Sequence, residues 1–196
     1  MAFVGLTPAQ VASDTHSVTP NGSGFTGGVQ VGCNWQGAGS PLVLGVEADF
    51  NGSSLKESAT VAFAINPVSG FTAHTENNTK DVTCFSTFRG RLGYAADRWL
   101  VYATGGLAVA HINSSLNLLF LGGSYIGSDS RTRTGYTVGG GLEYAFTNKW
   151  SAKFEYLYLD FGTYTFSSPN TAIPIAWATD VRASEHIARL GLNYKF

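Results

Sequence analysis

The sequence predicts an all-β fold, an eight-stranded antiparallel up-and-down transmembrane β-barrel, and three observations carry that prediction. Apolar and polar residues alternate with period two over most of the 196-residue chain, as on a strand with unlike faces. The connections between these stretches are alternately short and long, the pattern of spanning barrels. No segment approaches the roughly 18 or more consecutive apolar residues of a membrane helix.

The bulk composition agrees. Charged residues make up 13%, aromatic residues another 13%, and 24 residues are glycine. A mean hydropathy near zero is compatible with a membrane location, because a barrel hides its lipid face in alternation. The length fits a single domain, 1–196, with a poorly defined start over 1–23. A net charge of -1 gives no reason to expect nucleic acid. Cys33 and Cys84 have no metal spacing and form no disulfide framework; bridging them would need close Cα atoms.

The elements follow in order. Ala2 to Leu6 starts a strand that Pro8 interrupts, and Thr19 to Gly24 reads as a loop. Phe25 to Gln36 alternates clearly, with Val29, Val31, Cys33 and Trp35 on one face and Gln30, Asn34 and Gln36 on the other. After the turn Gly37 to Pro41, Leu42 to Asn51 sets Leu44, Val46 and Phe50 against Glu47, Asp49 and Asn51. A polar segment over 52–80 reads as a long connection whose middle, Ala59 to Ile65, forms a strand extension or a short hairpin arm. Asp81 to Ala95 sets Phe88, Leu92 and Tyr94 against Arg89 and Arg91, before a tight turn at Ala96-Asp97. Arg98 to Ile112 and Arg133 to Phe146 are strands flanking a Ser/Gly-rich loop over 113–132, whose apolar patch, Leu116 to Leu121, is a candidate extension of those strands. Thr147 to Lys149 is a turn, and Trp150 to Phe161 is a strand whose alternation blurs beyond Tyr156, the mark of a bulge. A loop over 162–180 leads to the closing stretch, Val181 to Phe196.

That gives seven clear strands. An odd sheet would leave unpaired backbone groups in lipid, at several kcal/mol each. An eighth strand is therefore expected from residues 2–18, which supply it weakly. Aromatics near strand ends, among them Trp35, Tyr94, Trp99, Tyr144, Trp150 and Tyr194, fit interfacial girdles. Met1 to Ser13 has no Lys or Arg and only a short apolar patch. The export signal of such a protein is therefore expected to be missing from this sequence, trimmed away or lost to a late start.

The motifs G-G-V-Q-V-G-C-N-W-Q (27–36), L-G-V-E-A-D-F (44–50), F-R-G-R-L-G-Y-A (88–95), Y-A-T-G-G-L-A (102–108), Y-T-V-G-G-G-L-E-Y-A-F (136–146), W-S-A-K-F-E-Y-L-Y-L-D (150–160) and the closing L-G-L-N-Y-K-F resemble one family. It is the small porin-like outer-membrane barrel proteins of alphaproteobacteria, the major surface antigens of the brucella and rhizobium group. The resemblance spans about 25–196. It implies an eight-stranded barrel like the OmpA-type transmembrane domain, placed in the bacterial outer membrane. Lipid, lipopolysaccharide and the barrel-assembly machinery are the implied partners. In such proteins the closing strand carries the assembly signal, here Tyr194 and Phe196. Two positions depart from the pattern. Cys33 stands where the family tends to have an aromatic, and only Phe3-Val4-Gly5-Leu6 echoes the usual first strand.

The polar faces carry an expected interior charge network: Glu47, Asp49, Glu143 and Glu155 with Arg89, Arg91, Lys153 and Arg189. An eight-stranded interior is just wide enough for side chains to fill, which favours a structural salt-bridged core. The alternatives are a constricted ion path lined by the same residues and, last, a catalytic carboxylate pair. No nucleophile–base order and no metal-ligand spacing appears, so neither enzyme activity nor a metal or other cofactor is expected. Gly139-Gly-Gly141 lacks the Lys-Ser/Thr of a phosphate loop and reads as relief of crowding. His74, in the 52–80 connection, leaves surface ligand or haem capture as a further alternative to the structural role.

Overall fold

The computed structural model describes residues 21–63, 74–120, 123–169 and 176–196. Within them the chain forms β1 (Asn21–Ser23), β2 (Thr26–Gln36), β3 (Leu42–Phe63), β4 (His74–Ala96), β5 (Trp99–Phe120), β6 (Gly123–Ala145), β7 (Trp150–Pro169) and β8 (Ala176–Tyr194), with no helix. Every ladder is antiparallel and joins neighbours in sequence from β2 to β8. β1 pairs with Lys56 to Ser58, beyond the stretch of β3 that β2 covers, so β1 and β2 are successive parts of one wall. The loop expected over 19–24 is thus partly strand.

Among the described residues no ladder joins β2 to β8, and the sheet is not closed. An even number of antiparallel steps separates these edges, so they run the same way. The strand expected over 2–18 lies outside the described residues. Side chains bring the edges together: Gln30 Nε2 donates to Asn193 Oδ1 at 2.9 Å, and Lys153 donates to Gln30 Oε1.

The short turns fall within one residue of the reading: Gly37 to Pro41, Asp97-Arg98 where the sequence predicts Ala96-Asp97, and Phe146 to Lys149 where it predicts Thr147 to Lys149. Asp97 takes a left-handed φ of 52° to close its tight turn. The long connections do not. β3 runs to Phe63 and β4 starts at His74; β5 and β6 pair as far as Phe120 and Gly123; β7 and β8 pair as far as Pro169 and Ala176. Strands of 19 to 23 residues are about twice the 9–11 that a tilted strand needs to cross a bilayer. Polarity misled the reading here: Ser, Asn and Thr on these arms face outward on paired strands, where solvent suits them.

Bulges divide the walls into two halves. The register shifts between Gly52 and Leu55, between Val82 and Cys84, and between Asp160 and Thr163. The blurred alternation after Tyr156 marks the last of these. At the β4 bulge the inward set changes from Phe85, Thr87, Arg89 and Arg91 to Val82, Lys80, Asn78 and Glu76. One extra residue flips the parity of the strand, and the bulge absorbs it without turning the core outward.

Toward the short turns, the outer face is apolar and the inner face charged. Leu44, Phe50, Phe88, Leu92, Val101, Leu107, Val138, Phe154, Leu190 and Leu192 are exposed, while Glu47, Asp49, Arg89, Arg91, Lys153 and Glu155 are buried. Beyond the bulges the order reverses. Lys56, Ser58, Asn77, Thr79, Ser115 and Asn117 face out there. One buried apolar cluster straddles the bulges, with Phe85, Ala108, Ala110, Leu157, Leu159 and Ile187 on the short-turn side and Val82, Ile112, Leu116, Phe161 and Ala183 at or beyond them.

Candidate functional site: the interior of the barrel

The charged layer is built by strand parity. In the β3–β4 ladder Glu47 is directly opposite Arg89, and in the β7–β8 ladder Glu155 is opposite Arg189. Closeness of directly opposed residues then makes pairing the default. The fully buried Arg89 reaches three carboxylates, Asp49 at 2.9 Å, Glu155 at 3.0 Å and Glu47 at 3.2 Å. Arg91 bonds Glu143 at 2.6 Å and Glu47 at 2.9 Å. Arg189 holds Glu155 at 2.6 Å and Asp49 at 2.9 Å, and Lys153 lies 3.6 Å from Glu155. All eight residues named from the sequence therefore fall in one connected set, with equal numbers of cations and carboxylates. Several of its bonds cross the lumen: Arg89–Glu155 joins β4 to β7, and Arg189–Asp49 joins β8 to β3 across the open edge.

Neutral groups that the sequence reading did not single out complete the layer. Tyr102 donates to Glu155 Oε1 at 2.9 Å while its ring lies 3.6 Å beneath the Arg91 guanidinium. A β-carbon at Gly141 would sit 2.5 Å from the Tyr102 hydroxyl, so glycine is what admits the ring. Thr87 binds both oxygens of Asp49 through its amide and hydroxyl, and Asn51 donates to Asp49. Ser151 and Asn193 both donate to Glu143 Oε1. Their signal was present: each lies on the polar side of its strand, but a neutral residue does not announce a partner.

The apolar cluster lies directly above this layer, and a second ionic group lies beyond it. Lys80 donates to Glu185 at 2.7 Å and to Glu57 at 3.1 Å. Burial pulls the Lys80 ammonium down, but Glu185 and Glu57 outweigh it and the net shift is upward. Burial pushes the Glu185 carboxyl up, with Lys80 only partly offsetting it. This triad was missed because 52–80, which holds Glu57 and Lys80, reads in the sequence as a long connection. At the β7 bulge, Asp160 accepts from the Gly162 amide, the Tyr158 hydroxyl and Arg182, which together hold its carboxyl below the usual range. Gly162 has a φ of 76° there, a conformation that favours glycine.

Among the described residues no group of three or more His, Cys, Asp and Glu could hold a metal ion. Cys33 and Cys84 are free. His74 is the first residue of β4, His111 faces Ser130 and Thr132 on the outer wall, and His186 accepts or donates at 2.6 Å to Tyr156. Tyr194 packs edge-on against Trp150 at 4.9 Å and Phe196 at 5.0 Å, on the outer face of the closing strand.

Comparison with known proteins gives a consistent set of relatives. A family described as outer membrane protein beta-barrel domain matches residues 3–196. The 31 kDa outer-membrane immunogenic protein of Brucella melitensis is 38% identical over 181 residues, which span 92% of this chain and 70% of that protein. The 22 kDa outer membrane protein of Rhizobium leguminosarum is 28% identical over 184 residues, 94% of this chain and 70% of that protein. No solved structure matches.

Proposed function

The chain belongs to the outer membrane β-barrel domain family, and we propose that within that membrane it is a structural, surface-exposed protein with a plugged, non-conducting interior. The apolar cluster over the charged layer is the observation that supports this reading. An ion entering from the short-turn end would have to break bonds of the Arg89 network. It would then have to cross a zone lined by Phe85, Leu157, Leu159 and Ile187, where nothing replaces its hydration shell. An apolar constriction closes a path to ions by excluding water. The inner faces of the long paired arms carry the far part of the apolar cluster and, beyond it, the buried Lys80–Glu57–Glu185 group, which gives the surface-exposed part a core of its own.

Bilayer recording on the refolded chain tests the proposal. No steady conductance is expected. A conductance in the unaltered protein that Arg89→Ala abolishes would establish the channel instead.

A further inference from the structure

At the short-turn end three segments border a shallow, open cleft of about 610 Å³. Arg98 comes from the β4–β5 turn, Phe146, Lys149 and Trp150 from the β6–β7 turn, and Tyr194 from the end of β8. Arg98 is fixed by its Nη1, which donates to the carbonyl of Phe146 at 3.0 Å. Lys149 Nζ lies 3.5 Å from the Tyr194 hydroxyl and 5.8 Å from its ring. The Lys195 amide donates to the Lys149 carbonyl at 2.8 Å, which places a third cation on the same rim. Asp97 is the one acidic residue in the turns at this end.

The walls of the cleft are aromatic and lead toward the lipid-facing surface. Phe146, Trp150 and Tyr194 are each about two-fifths exposed, with Trp150 and Tyr194 packed edge-on. A cationic mouth with an apolar flank at the edge of the membrane band suits a molecule with a phosphate and an acyl chain. Arg98 supplies a planar fork for phosphate oxygens, and Lys149 a point charge beside it. Short turns lie on the periplasmic side of spanning barrels, where the leaflet is phospholipid.

We propose that this cleft binds an anionic glycerophospholipid of the inner leaflet, its phosphate held between Arg98 and Lys149 and its chain laid along Trp150 and Phe146. The site would hold the barrel at a fixed depth and orientation at its periplasmic rim.

The test is native mass spectrometry of the full chain released from micelles containing equal amounts of phosphatidylglycerol and phosphatidylethanolamine. Retention of phosphatidylglycerol should exceed that of phosphatidylethanolamine by about thirtyfold, as two cations near a surface would give. Arg98→Gln with Lys149→Gln should remove the preference, and Lys149→Gln alone should weaken it. Lys56→Gln, at the opposite end of β3, should leave it intact. The heat-dependent gel shift verifies that each variant is folded, and Lys149→Gln carries the test if Arg98→Gln is not. Equal retention of the two lipids overturns the proposal, as does a preference untouched by Lys149→Gln. Full displacement of the lipid by millimolar inorganic phosphate would reassign the cleft to a free anion, and retention of peptidoglycan fragments in place of lipid would reassign it to the cell wall.

Discussion

Phe154 and Leu157 are three residues apart on β7, and their surroundings are inverted. Phe154 lies on the lipid-facing wall beside inward Glu155 and Lys153; Leu157 is fully buried in the apolar cluster, near where outward positions turn polar. The same comparison holds between the two halves of β3, Leu44 out and Glu47 in below the bulge, Lys56 out and Leu55 in above it. The strand geometry is common to both halves. What differs is the medium outside. Lipid demands an apolar wall and leaves charge to be paired inside, whereas water accepts the polar wall and drives apolar side chains inward. The two halves therefore fail differently when a central side chain is removed.

The charged half should fail most. Arg89→Ala leaves Glu47, Asp49 and Glu155 without their shared partner in a closed space. Breaking a buried ionic group by removing one member costs about 3–5 kcal/mol. The urea midpoint of the refolded protein in micelles should fall accordingly, or the heat-resistant form should be lost. A midpoint within error of the parent would show that water already solvates this layer, and the contrast between the halves would collapse.

The apolar half should fail by cavity formation. Leu157→Ala should cost about 2–5 kcal/mol, depending on how far Ala108, Phe85 and Leu159 relax into the space. The loss should be insensitive to salt, unlike a loss of surface ion pairs. A loss well under 1 kcal/mol, read from the same urea curves, would mean that the upper cluster is loosely packed and not a plug.

How much was legible follows from the same contrast. In the charged half the alternation is clean, because lipid punishes any polar residue on the wall. Hence Glu47, Asp49, Arg89, Arg91, Glu143, Lys153, Glu155 and Arg189 could be placed on inner faces from parity alone. In the upper half the outer residues are Ser, Thr and Asn, which are also the residues of loops. The bulge at Thr83 further breaks the count, so Lys80 falls on the wrong face if parity is carried up from Arg89. Without knowing that 52–80 is paired strand, nothing brings Lys80 near Glu185, which lies 105 residues away.

That triad gives the smallest and most specific of the contrasts, because it is an ionic group buried just beyond the apolar cluster. In the parent protein Lys80 is raised above its ordinary value of 10.5, so its contribution is fully present below that value and is lost as pH rises through the folded pKa. Glu185 is raised as well, so its ionised form is a cost that is relieved as pH falls through its folded pKa. Lys80→Met leaves Glu57 and Glu185 facing each other without a cation. The deficit of this variant should be largest between the two titrations. It should shrink as pH falls through the raised folded pKa of Glu185, where that carboxylate takes up a proton. It should shrink again as pH rises through the raised folded pKa of Lys80, where the parent loses that charge. Urea midpoints for both proteins across this range measure it. A deficit that stays constant with pH would mean that Lys80 acts through the burial of its methylenes and not through its charge.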